Sequence, residues 1–109
     1  MNYKTIIPEG KDLDSLITEL RYAVATTRAR GDDLLMIKMP DNDEGQDKKA
    51  KISVIRILKS MKNEGLIQFY ATKESFDLSS TESEFLINKY PRIFEQKNNI
   101  SFDDVYVKL

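Results

Sequence analysis

Oxygen ligands crowd most closely at Asp41, Asp43, Glu44 and Asp47, in the stretch DNDEGQD. Carboxylates at this density can hold a hard divalent cation such as Mg²⁺ or Ca²⁺. The pattern is not an EF-hand. Gly45 falls one position early for that loop's sharp turn, and Ile52 stands where a bidentate Glu is needed. The plainer reading is an acidic stretch ahead of a helix N-terminus, where negative charge is favourable. A metal bound here would make the chain a divalent-metal-dependent enzyme. A restriction-enzyme-like nuclease site needs Asp/Glu-x-Lys on the next strand as well. LIQFYATKES has no such triplet after Pro40-Asp41.

Directly after the acids, KKAKISVIRILKSMK carries Lys48, Lys49, Lys51, Arg56, Lys59 and Lys62 and no acid. On a helix these bases fall on one arc of about 160°. The apolar Ala50, Val54, Ile57, Leu58 and Met61 lie on a separate face. A basic arc can neutralise nucleic-acid phosphates, and Tyr70 beyond it can stack on a base. The competing reading is an ordinary amphipathic helix with a solvated face. ILKSMKNEGLIQFY also resembles the recognition helix and wing of winged-helix DNA-binding proteins, but no tri-helical unit precedes it.

Several chemistries are missing. With no His, the Ser-His-Asp and Cys-His arrangements and the usual near-neutral base are absent. With no Cys there is no thiolate nucleophile, disulfide or thiolate metal site. Neither GxGxxG nor GxxxxGK[ST] occurs, so no glycine-rich phosphate loop is expected. No cofactor is expected. Seventeen basic against 18 acidic residues give a formal charge of −1, so any polyanion binding must be local. No apolar run is long enough to span a bilayer, and MNYKTIIPEG does not read as a signal peptide. The expectation is a cytoplasmic protein that does not bind membranes. Its 109 residues, 40% of them hydrophobic, suit a single domain over 1–109 with a real core.

The elements that must position these residues follow from pattern. Tyr3–Pro8 reads as a first strand. Asp12–Arg30 is the clearest helix, with Leu13, Leu16, Ile17, Leu20, Ala23, Val24 and Thr27 on one face. Asp12 caps it and Gly31 stops it. Asp33–Met39 is a buried strand ending before Pro40. A second helix over roughly Asp47–Asn63 stops at Gly65 and leads into a third strand, Leu66–Ala71. Thr72–Ser80 reads as a loop. Thr81 and Glu84 then form a capping box, and Pro91 divides the next segment into two short helical pieces. Val105–Leu109 is a closing strand of open orientation. The order β-α-β-α-β-α-β, joined by short loops, predicts an α/β fold with a four-stranded, mainly parallel sheet and helices packed against it.

Across most of its length the chain resembles the Smr (small MutS-related) domain, whose topology is shared with Alba-type nucleic-acid-binding proteins. DLDSLITELRYAVATTRARG is similar to that family's first helix, DLLMIKM to its central strand, ISVIRILKSMKNEGLIQFY to its second helix and following strand, and DDVYVKL to its last strand. The family's HGxG signature is missing. MPDNDEG occupies its place, and Ile7-Pro8-Glu9-Gly10 keeps only the glycine of the DLRG-like motif. The resemblance therefore implies a scaffold with nucleic-acid affinity and carries over no catalytic residue.

The expected function is a non-catalytic binding module contacting RNA or DNA phosphates through Lys48, Lys49, Lys51, Arg56, Lys59 and Lys62, with Tyr70. The alternative is a protein-interaction or regulatory module, as a homodimer or with another protein, motivated by near-neutral charge and by Phe76, Phe85, Tyr90 and Phe94, which exceed the needs of a small core. The metal enzyme at Asp41, Asp43, Glu44 and Asp47 is the third reading.

Overall fold

The computed structural model describes residues 3–39, 46–94, 100 and 104–109, with backbone alone at 46–48. Its elements run β1 (Tyr3–Ile6), α1 (Leu13–Ala29), β2 (Leu34–Lys38), α2 (Gln46–Asn63), β3 (Phe69–Thr72), α3 (Lys73–Asp77), α4 (Thr81–Lys89), α5 (Pro91–Phe94) and β4 (Asp104–Lys108).

The local chemistry explains the two long helices. The Asp12 carboxylate accepts the Ser15 N–H at 2.7 Å and starts α1, with Asp14 in the first turn and Arg28 in the last. That hydrogen bond holds the Asp12 carboxyl below the usual carboxylate range. Gly31 and Gly65 follow α1 and α2 with φ of +85° and +79°, left-handed values that favour glycine, so both helices stop where the sequence says.

Four strands form one sheet in the order β1-β2-β4-β3. β1 and β2 are parallel, with Tyr3 opposite Leu34 and Ile6 opposite Ile37. β4 runs antiparallel to both neighbours, pairing Leu34 with Lys108 on one side and Phe69 with Lys108 on the other. The α/β class and four strands agree with the sequence, but the mainly parallel sheet does not. Two of the three pairings are antiparallel. The cause is the segment after β3. It leaves the end of the sheet marked by Thr72 and returns to that same end, where Val105 is paired with Thr72. A crossover would have carried it to the opposite end.

Alternation along β4 divides the core. Val105, Val107 and Leu109 join Leu35, Ile37 and Met39 under α1 and α2, which contribute Leu16, Leu20, Val24, Val54, Leu58 and Met61. Tyr106 on the other face joins Leu34, Ala71, Phe76, Leu86, Tyr90, Phe94 and Ile100. The sheet is thus sandwiched, with α1 and α2 on one side and α3, α4 and α5 on the other. Phe76, Phe94 and Tyr106 form an aromatic cluster with ring centroids 5.0–5.7 Å apart.

Three local expectations are corrected. Residues 73–77 are a helical turn, α3, started where Ser75 Oγ accepts the Thr72 N–H at 3.1 Å. The cap of α4 is Ser80, whose hydroxyl accepts the Ser83 N–H at 3.1 Å, and not a Thr81–Glu84 box. β3 begins at Phe69, so Leu66 and Ile67 reach the core from a turn. The break before Pro91 is where the sequence places it, with Tyr90 at φ −124° and ψ 60°.

Candidate binding cleft

α2 presents its apolar face to the sheet. Lys49, Arg56, Lys59 and Lys62 are exposed, and none has an ion-pair or hydrogen-bond partner for its side chain among the described residues. Ile52 lies in the midst of this arc and is itself 54% exposed, so the basic surface has an apolar centre. Lys51 is different. It leans away from the arc toward Glu74, with Nζ and Oε1 3.8 Å apart, and its side chain is mostly covered. Burial opposes ionisation of Glu74, but the Thr72 hydrogen bond and the Lys51 and Lys73 charges prevail and hold its carboxyl below the usual range. Tyr70 is half-buried and packs against the core beneath α1 and α2. Lys48 and Asp47 lie in the first turn of α2, with side chains outside the described residues, and Asp41, Asp43 and Glu44 lie outside them altogether. Among the described residues no three metal-ligating side chains converge.

Beside this arc α1 and α2 leave a cleft of about 290 Å³. Leu13, Ile17, Ile57 and Met61 give it apolar walls, and Arg21 with Ser53, Arg56 and Ser60 supplies the polar groups. Ser53, Arg56, Ile57 and Ser60 are spaced i, i+3, i+4 and i+7, which puts them on one flank of α2. Arg56 therefore belongs both to the basic arc and to the cleft. Across from it, Arg21 Nη2 meets Glu64 Oε2 at 2.8 Å, with both side chains about half exposed. An ion pair this wet is worth little, so Arg21 can change partner at small cost.

The cleft opens into a wider hollow of about 720 Å³ at the carboxyl ends of β1 and β2, and Leu13 and Ser53 line both. Glu9, Lys11 and Lys49 reach this hollow. Its rim is held by Glu19, whose carboxylate accepts the Glu9 and Gly10 N–H groups at 2.8 and 2.9 Å. The approach at Gly10 is tight: a Cβ there would sit 3.0 Å from the Leu16 nitrogen and 3.1 Å from Glu19 Oε2, so these neighbours would have to shift by a few tenths of an ångström.

The sequence reading missed Arg21, Leu13, Ile17, Ser53 and Ser60 as site residues. Ser53 and Ser60 do carry a signal, since they fall between the basic arc and the apolar face of α2 where a core-facing helix usually has apolar residues. Arg21 carries none; its position opposite Arg56 depends on how α1 and α2 pack.

A second charged cluster lies at the other end of the sheet. Lys108 is 4% exposed and stands beside Asp33, Lys89 and Arg28. Burial, reinforced by the like charges of Lys89 and Arg28 and opposed by Asp33, pushes its amine below the usual lysine range. Lys89 Nζ is 3.4 Å from Asp33 Oδ2. Burial disfavours the Asp33 carboxylate, but nearby Tyr90, Lys89 and Lys108 outweigh it and lower its pKa. The Tyr90 hydroxyl is close enough to favour that charge but makes no hydrogen bond of good geometry among the described residues.

The cleft's two charged groups are the guanidiniums of Arg21 and Arg56. The arrangement suits holding an anion next to an apolar or planar group. No family model, characterised protein or solved structure matches this chain.

Proposed function

We propose that the chain is a non-catalytic binding module that takes nucleic-acid phosphates on the exposed flank of α2. The observation that carries this is the row Lys49, Arg56, Lys59 and Lys62, exposed and without side-chain partners among the described residues. Exposed cations along one helix flank are available to phosphates. With a formal charge of −1 the whole molecule does not attract polyanions, so the attraction is confined to this flank. The Smr- and Alba-like resemblance of the sequence agrees with this role and supplies no catalytic residue. The alternative, a protein interface, loses most of its motive: Phe76, Tyr90 and Phe94 are needed in the second core, and of that group only Phe85 is exposed.

The test is fluorescence anisotropy of labelled single- and double-stranded oligonucleotides, with the wild type and a variant carrying Lys49, Arg56, Lys59 and Lys62 changed to Glu. Four phosphate contacts weaken binding roughly 50-fold (single strand) to 150-fold (duplex) between about 50 and 200 mM salt. The variant, shown folded by circular dichroism, is expected to lose binding at both salts. No wild-type binding at low salt, or equal binding by the two proteins, sinks the proposal.

A further inference from the structure

We infer that the cleft between α1 and α2 receives an unstacked base of a single strand whose phosphates run along the α2 flank. This rests on the reading of that flank just given and adds the class of nucleic acid. Three features point to it. Arg56 lines the cleft and also belongs to the basic arc, so a strand held by Lys49, Arg56 and Lys59 passes the mouth of the cleft. The cleft walls join apolar Leu13, Ile17, Ile57 and Met61 to the guanidinium of Arg21, a combination that accepts a flat, weakly polar ring and can stack on it. At about 290 Å³ the cleft is at the small end of ligand pockets, the size for one ring system rather than a whole dinucleotide.

The charge pattern selects this occupant over an apolar peptide. Both guanidiniums and the neighbouring lysines want negative charge at the edge, while the walls want an apolar body; a nucleotide of a strand brings both. Ser53 and Ser60 stand on the α2 wall, and a hydroxyl both donates and accepts hydrogen bonds. Such groups meet the edge of any base, so recognition is tolerant of sequence. A duplex keeps its bases stacked and paired and cannot present one to a cleft between two helices without unpairing it.

The experiment compares three labelled ligands: a mixed-sequence single strand, the same strand made abasic, and the duplex. The proteins are the wild type, Ser60→Leu, and Ser53→Leu/Ser60→Leu, which fill the cleft without altering charge or adding an aromatic face. Their fold is checked by circular dichroism and thermal melting. The wild type is expected to bind the base-bearing strand about 5- to 150-fold tighter than the abasic strand, the range one stacked base supplies. The filled variants should lose that preference while binding the abasic strand within about twofold of wild type, since phosphate contacts are independent of base. Equal wild-type affinity for base-bearing and abasic strands, duplex bound as tightly as single strand, or full preference in the filled variants overturns the inference and leaves the α2-flank reading standing. If none of the three ligands binds, both fall.

Discussion

Lys108→Met is expected to stabilise the protein. Lys108 lies on the same face of β4 as Tyr106, between Leu34 on β2 and Phe69 on β3, and is 4% exposed. Among the described residues its ammonium makes one hydrogen bond, to the Leu109 main-chain oxygen at 3.1 Å. Removing that bond forfeits roughly 1.5–3 kcal/mol, the range for bonds to charged groups. The oxygen is not orphaned, because Gln68 Nε2 still donates to it at 3.0 Å. Against the loss stands the desolvation of an ammonium, several kcal/mol per buried ion. Lys89 and Arg28 add like charge, and only Asp33 offsets it. Met matches the buried stem in length and keeps its apolar contacts, so the balance favours the variant by about 1 kcal/mol. For a domain of this size that raises Tm by about 4 °C.

The pH dependence checks the cause. A lysine with a lowered folded pKa binds fewer protons folded than unfolded. Wild-type stability therefore gains on that of Lys108→Met as pH rises from the folded pKa toward about 10.4. The advantage of the variant should shrink across that window. Tyr90 and Tyr106, both raised by burial, penalise both proteins equally above about pH 10 and cancel in the difference. Urea denaturation of the two proteins at several pH values from neutral to about 10 measures it. A variant less stable than wild type at neutral pH, or an advantage that does not change with pH, refutes the reasoning.

Two further substitutions follow from single atoms. Thr27 is fully buried in α1, and its Oγ1 has no hydrogen-bond partner among the described residues. Thr27→Val should raise stability by about 1 kcal/mol in urea, the lower end of the penalty for an unpaired buried polar atom; a loss would mean the hydroxyl has a partner in solution. Glu64→Gln should release Arg21 from its 2.8 Å ion pair. Single-strand binding is then expected to tighten about two- to fivefold, with a stability change under about 1 kcal/mol, because exposed pairs contribute little. Unchanged affinity would mean that Arg21 does not reach the bound strand.

Much of the architecture was legible because it depends on local chemistry. Asp12, Gly31 and Gly65 mark the ends of α1 and α2 through caps and left-handed turns, and the spacing of Val54, Leu58 and Met61 turns α2 toward the sheet. Pro91 divides α4 from α5 by its effect on Tyr90. What escaped was set by distant parts of the chain. A run such as VYVKL is compatible with either strand direction, and only the route of residues 73–103 decides it. The weak turn KESFD is held as α3 by Phe76, whose ring packs on Phe94 and Tyr106. The same holds at the cleft. The basic arc was visible in helical spacing, while Arg21 and the serines became a site only when α1 lay beside α2. Lys51 sits on the arc by angle and leaves it because Glu74 follows β3 nearby.

The insertion of β4 between β2 and β3 also governs how the chain assembles. Among the described residues β3 pairs with β4 alone, and β2 reaches β3 through it. During synthesis β1, α1, β2 and α2 emerge early, but the element that joins them to the aromatic half emerges after all the others. Until then Leu34 and Ala71, fully buried in the finished sheet, lack the β4 neighbour that covers them. Such a chain postpones its main cooperative step, since contacts distant in sequence must close before they reward the closure. The halves are then expected to have little separate stability. Hydrogen exchange should show the amides of β2 and β3 opening together in one global event; protection of β1 and β2 that outlasts β3 would show that the first half stands alone.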